Sequence, residues 1–383
     1  MIVYGFYEED GRVQRIADCL IERGYSVDVI SLKQKTKESF NVYNGIRVYK
    51  ILGREFKERG PINYLLRHLM FFFLSSLKVT QLYLKERYDL IHVHNIPDFL
   101  VFTTLIPKLF GAKILLDIHD IIPEFFVQKF SVSENHLTVG ILKFIEKISA
   151  RYSDHVITVT ELWEKKLINR GVPEAKCSVI PNVPNLKLFD RHSTYKKTKN
   201  SFMVLYHGNL SKQNGIDILI KSLSIVKDSI PSIKLQIIGD QRIANDLGEL
   251  INELNLAKFI NLSDSIPHEE VPKVICHADI GVDPKRGGVY SGETLSVKIM
   301  EYMAMGVTAI VSRTKASTYF DDSVVKFFEP ENEGDLAQKI IELYKNPQER
   351  KMLAINAGNF IKHNNWDKYK IKYWALIDSL CKK

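Results

Sequence analysis

Residues 202–212 read Phe202-Met203-Val204-Leu205-Tyr206-His207-Gly208-Asn209-Leu210-Ser211-Lys212. An apolar run through Tyr206 breaks into a polar, glycine-bearing loop, and Gly215 to Lys227 then follows helical spacing. A short run that is apolar at every position fits a strand covered on both faces, as parallel sheets require. The cycle repeats downstream: strand Lys234 to Ile238, helix Ile243 to Leu254, strand Asp279 to Val282, helix Leu295 to Met305, strand Val307 to Val311. Upstream it gives strands Ile2 to Phe6, Val27 to Leu32, Leu90 to Val93, Lys113 to Leu116 and His155 to Val159. A helix from Arg12 to Arg23 is stopped there by Gly24. Such alternation predicts parallel sheets with crossover helices. The expected fold class is therefore α/β, with two Rossmann-like, doubly wound domains facing a central cleft. The boundaries read as a first domain over 1–184, a basic linker over 185–200, a second domain over 201–361 and a C-terminal helix over 362–383. The linker carries Arg191, His192, Lys196, Lys197 and Lys199.

Composition narrows the function classes. With 383 residues, 45% hydrophobic and 26% charged, the chain is ordinary globular material for two cores. The excess of 53 basic over 45 acidic residues, +8, suits an anionic small molecule or an anionic membrane surface. No basic stripe with interleaved aromatics appears, so nucleic acid is not an expected partner. Cys19, Cys177, Cys276 and Cys381 are far apart, which argues against a disulfide framework or a zinc site and for a reducing compartment. The start, Met1-Ile2-Val3-Tyr4-Gly5, has neither a basic region nor a long apolar stretch, so no signal peptide and a cytoplasmic location are expected. The most apolar run, Leu69 to Leu74, is far too short to span a bilayer. It reads as part of a helix from Ile62 to Lys85. That helix is either packed on the core or rests an amphipathic face, with Phe71 and Phe72, on the inner surface of the cell membrane.

Open parallel sheets bind ligands at the carboxyl ends of their strands. The unusual residues gather there: His94-Asn95 after Val93, Asp117 to Glu124 after Leu116, His207 to Lys212 after Tyr206, and Gly239-Asp240 after Ile238. Lys298 falls in the first turn of the Leu295 helix, where the positive end of the helix dipole disfavours a cation. A phosphate held by free backbone N–H groups, with Lys298 beside it, resolves the conflict. Neither half carries G-x-G-x-x-G after its first strand, which excludes a dinucleotide dehydrogenase.

Glu293 and Glu301 stand eight positions apart, and Glu301 opens Glu301-Tyr302-Met303-Ala304-Met305-Gly306. Before them come Arg12-Val13, Tyr88 to His94, Asp117-Ile118-His119-Asp120, Val179-Ile180-Pro181-Asn182, Gly208 to Gly215 and Ala278 to Val282; Asn365-Trp366 follows. In this order, over nearly the whole chain, these motifs resemble the retaining glycosyltransferases of family 4, which have the GT-B fold. The resemblance implies transfer of a sugar from a nucleoside diphosphate sugar to a hydroxyl of a glycan or lipid-linked glycan, in cell-surface polysaccharide or glycoconjugate assembly. It implies retention and a C-terminal helix crossing back to the first domain; no carboxylate is clearly placed as a covalent nucleophile, so a front-face route with no metal is expected. The implied catalytic residues are His119, Glu293 and Asp120. Glu293 would bond donor-sugar hydroxyls and Glu301 a ribose diol. The diphosphate would meet Lys298, Arg286 and Lys212, with Gly208 admitting it closely and Gly292, Thr294 and Leu295 leading into the helix. Asn209 and Asn214 stand where many members carry cations. Gly239, Asp240 and Ile266 would border the nucleobase, and Asp10, Arg12, His94, Asn95 and Glu124 the acceptor. The competing readings are solvated glutamates, a solvated Lys212 and a structural His119. The rival functions are a GT-B epimerase acting on the nucleotide sugar and a non-catalytic nucleotide-sugar-binding protein.

Overall fold

The computed structural model describes residues 1–34, 38–54, 61–189 and 201–381. Arg191, His192, Lys196, Lys197 and Lys199 of the expected linker lie outside the described residues. The chain forms two compact units, Met1–Asn182 with Tyr369–Lys383, and Val183–Lys368.

The first unit contains strands β1 (Ile2–Val3), β2 (Asp28–Gln34), β3 (Phe40–Tyr43), β4 (Ile46–Arg54), β5 (Leu90–His94), β6 (Lys113–Ile118), β7 (His155–Thr158) and β8 (Cys177–Val179). They form one sheet in the order β3-β4-β2-β1-β5-β6-β7-β8. The neighbours are parallel apart from the β3–β4 pair. That hairpin, absent from the sequence expectation, turns at Asn44-Gly45 with φ of 50° and 85°. This is the Asn-Gly signature of a tight hairpin turn. In the centre, His94 registers with Asp117, so two strands deliver their polar ends to one place. The helix Trp366–Cys381 supplies the unit's last segment. Its Tyr373 is buried, with the hydroxyl 3.0 Å from His92 Nδ1, and Trp374 Nε1 donates to Cys19 O at 2.9 Å.

The second unit contains β9 (Phe202–His207), β10 (Ile233–Ile238), β11 (Ile260–Ser263), β12 (Ile280–Asp283), β13 (Thr308–Ser312) and β14 (Lys326–Phe328). The sheet order is β11-β10-β9-β12-β13-β14. Its core is built from the strands' apolar runs and the helix Ile216–Ser229, with Val204, Tyr206, Leu219, Leu235, Ile237, Val282 and Ile310 fully buried. The short strands β8, β11 and β14 were not expected, because their polar content hides a run of only three or four residues.

The helix expected from Leu295 begins at Val297, behind a 3₁₀ turn at Ser291–Glu293 and a cap position at Ser296, and runs to Ala304. The Phe-rich helix spans Pro61–Glu86. Phe71 is fully buried, as the core-packed reading of this helix has it and the membrane-facing reading does not, and it is Phe73 that lies 62% exposed. No helix among the described residues is long and apolar enough to cross a membrane.

Candidate active site

In the second unit, β9 ends at His207 and the chain turns through Gly208 at φ +121°. A side chain there would meet Lys298, since a Cβ would lie 3.3 Å from its Cε. Gly239 is tighter still: a Cβ would fall 2.2 Å from Gly208 O. Only glycine allows these two strand ends and the helix Val297–Ala304 to converge. Lys298 is the second residue of that helix, and no side chain caps the helix start. The first-turn N–H groups and a cation therefore face the same small space.

The anion that justifies Lys298 within the fold is one the sequence reading passed over. Its Nζ donates to Asp283 Oδ1 at 2.9 Å and to Ser296 Oγ at 3.0 Å, and sits 5.0 Å from the Tyr206 ring centre. Burial works against the ammonium charge, but Asp283 and Tyr206 outweigh it and hold the pKa above its ordinary value. Asp283, buried at the end of β12, is correspondingly held low by Lys298 and by Lys285 against the opposing pull of burial. Buried Lys285 donates to Thr294 O at 3.2 Å. The signal for Asp283 was a lone carboxylate closing an apolar run; pairing across fifteen residues depends on packing, which spacing does not display.

Glu301 is buried on the same helix. Its Oε1 lies 3.2 Å from His268 Nε2 and its Oε2 3.4 Å from His207 Nε2. Burial raises its pKa, but the hydrogen bond from His268 and the nearby His207 prevail and keep it ionised. Burial pushes His207 down to about 4. Glu293, also buried, accepts from Lys315 Nζ at 2.8 Å. His207, His268, Lys285 and Lys315 were not among the expected site residues. Asn209 and Asn214 bind their own loop: Asn214 Nδ2 donates to Asn209 O at 3.0 Å, and Asn209 Oδ1 accepts from Ser211 N at 2.8 Å. Arg286 is held by two carboxylates and a backbone carbonyl. Its guanidinium pairs with Asp217 at 2.5 Å and Glu331 at 2.7 Å, and Nε donates to Lys212 O. Lys212 itself is exposed, Ile266 is half-buried, and Asp240 caps the turn Gln241–Ile243 while pairing with Arg242.

In the first unit, the expected acceptor-side residues turn inward. Asp10 caps the helix Gly11–Glu22 by accepting from Arg12 N and Val13 N. Arg12 is buried, bidentate on Asp117 at 2.8 and 2.9 Å, and also donates to Ile180 O. His94 Nδ1 lies 3.1 Å from Asp117 Oδ2, and both side chains are wholly inaccessible. Burial would raise Asp117, yet Arg12 and His94 hold it well below the usual carboxylate range. Asn95 is buried too, and its work is to shape the next loop. Its Oδ1 accepts from His119 N and Asp120 N, and its Nδ2 donates to Asp120 O and Asp98 Oδ1. His119 keeps partial exposure, with Nδ1 3.9 Å from Asp117 Oδ1. Glu124 stands apart, buried against Arg170 and Lys166. These pairings leave Arg12, His94, Asn95 and Glu124 as internal supports rather than exposed wall residues. His92, His94 and Asp117 bring metal-ligand atoms within 4.8 Å of one another. The Arg12 guanidinium already occupies that carboxylate, so a divalent ion would add a second buried cation to one anion.

Two parallel-sheet units, the second with glycines at its strand ends, have the architecture of GT-B glycosyltransferases, and similarity to solved structures bears this out. Sucrose-phosphate synthase of Thermosynechococcus elongatus superposes with TM-score 0.79 at 20% identity, covering 96% of this chain and 92% of that one. Anabaena HepE in complex with UDP-glucose gives TM-score 0.70 at 15% identity, covering 99% of each. The chain belongs to glycosyltransferase family 4: that family's model matches residues 12–187, and the model for glycosyl transferases group 1 matches residues 190–360. It is also 22% identical over 390 residues to the phosphatidylinositol N-acetylglucosaminyltransferase GPI3 subunit of Saccharomyces cerevisiae, covering 89% of this chain and 81% of the yeast protein. The chain is a glycosyltransferase.

Proposed function

We propose that this glycosyltransferase takes a sugar from a nucleoside diphosphate sugar and passes it, with retention, to a hydroxyl of a glycan or lipid-linked glycan. The observation that carries the donor reading is the uncapped start of the helix Val297–Ala304, with Lys298 anchored on Asp283 beneath Gly208. A diphosphate there would meet N–H donors and a cation already oriented, which is how a departing anion is stabilised without reorganisation. The bound UDP-glucose of the HepE structure supports a nucleotide-sugar donor. In the reaction, the bond from the anomeric carbon to the diphosphate oxygen breaks and the acceptor oxygen bonds to that carbon on the same face. The acceptor's proton passes to the departing phosphate. Lys298 and Lys285 supply the positive charge, so no metal is invoked. Glu293 is assigned to donor-sugar hydroxyls and Glu301 to the ribose diol. In the first unit, His119 is assigned to a sugar hydroxyl and Asp120 to the acceptor, both on the backbone that Asn95 fixes.

A thermal-shift screen of UDP, GDP, ADP and their sugars tests the donor site, since a ligand of the folded state raises apparent stability. One nucleotide should stabilise the wild type, and Glu293→Ala should keep that response while losing transfer. No response to any nucleotide would sink the reading. Release of an altered sugar nucleotide without acceptor would reassign the site to an epimerase.

A further inference from the structure

The helix Pro61–Glu86 is apolar on both sides. Its inner side puts Phe71, Ser75, Val79 and Leu82 into the core. A surface helix normally turns charged residues outward. Here Leu66, Leu69, Met70, Phe73, Leu77 and Leu84 point out, each 38–71% exposed. At 3.6 residues per turn these positions share one arc that contains no charged side chain. Arg67, Lys78 and Lys85 lie along one edge of it. The helix Leu105–Leu109 packs alongside, with Tyr83 Oη donating to Phe110 O at 2.8 Å. It adds exposed Leu105, Leu109 and Phe110. A continuous apolar area of this kind marks a docking surface.

We propose that this face docks the first unit onto an anionic lipid bilayer, with the helix lying in the interfacial plane. The occupant is argued from charge. Nearly all of the chain's +8 excess falls in the first unit, and the cations edging the face match anionic headgroups. A second copy meeting this face would set edge cations of the same sign against each other. The inference is independent of the donor and acceptor reading, because its test measures binding and not transfer.

The full chain should co-sediment with vesicles of equimolar phosphatidylcholine and phosphatidylglycerol. Binding should be weaker to phosphatidylcholine alone and should decline with added salt. Replacing two outward residues together, Phe73→Glu with Leu77→Glu, should weaken vesicle binding by about tenfold or more. Thermal unfolding should stay unchanged, because neither side chain is in the core. Wild-type protein that remains in the supernatant, or a double variant that binds as the wild type does, would overturn the proposal. So would a wild-type dimer in solution that the double variant converts to monomer, since that assigns the face to a second copy.

Discussion

Both units place a cation at the second position of a helix and set it against an aspartate on a parallel strand. In the first unit the pair is Arg12 with Asp117; in the second it is Lys298 with Asp283. The difference lies in what else each charge touches. Asp117 takes two bonds from Arg12 and a third contact from His94, Arg12 also bonds Ile180 O, and Asp10 caps the helix start. Around Lys298 the helix start has no side-chain cap and the neighbouring residue is a glycine. One pair is closed by its own fold. The other leaves the first-turn N–H groups without a side-chain cap, beside a glycine, and it is there that the proposed donor diphosphate would bind.

The largest test of this contrast is Arg12→Ala, which leaves the Asp117 carboxylate buried and unpaired. Stability should fall by about 3–5 kcal/mol in urea unfolding, and Arg12→Met with Asp117→Leu should recover much of that. An Arg12→Ala variant as stable as the wild type would end the view of this pair as a structural bolt. Lys298→Ala should act chiefly on chemistry, lowering transfer by about two to three orders of magnitude at temperatures where circular dichroism still shows a folded protein. If it transfers normally, the two pairs are the same device after all.

The sequence could not distinguish them. Its apolar runs placed most strands within a residue or two, because strands buried on both faces must be apolar throughout. The spacing of Glu293 and Glu301 and the glycines after strand ends were equally legible, since both are local. Arg12 read as acceptor-facing, and Lys298 as awaiting a phosphate, because neither aspartate partner is near in sequence. Which carboxylate answers a cation is decided by sheet register, as His94 opposite Asp117 illustrates. The same limit hid His207 and His268 beside Glu301. It also hid the partners of Arg286, Asp217 and Glu331, which lie far from it in the second unit's sequence.

The smallest effects sharpen the comparison through pH, because each unit also buries a group in its neutral form. In the first unit burial, with Glu146 nearby, pushes Asp98 up to about 7, the Asn95 hydrogen bond opposing. An ordinary carboxyl titrates near 4, so stability from the protonated group is full below about pH 4 and is lost as pH rises through about 7. In the second unit His207 is depressed to about 4, amid Glu301, Lys298, His268 and Asp283. Against an ordinary value near 6.5, its stability is full above about pH 6.5 and is lost as pH falls through about 4. Asp98→Asn should therefore gain on the wild type as pH rises from about 4 to 7, and His207→Gln as pH falls from about 6.5 to 4, each by on the order of 3 kcal/mol. Buried His92 and His94 titrate with the sign of His207, so the differences between each variant and the wild type carry the test. Urea midpoints across that range read both slopes. Parallel slopes for the two variants would mean that one of these groups is charged in the folded protein, and its unit would then lose its neutral buried group.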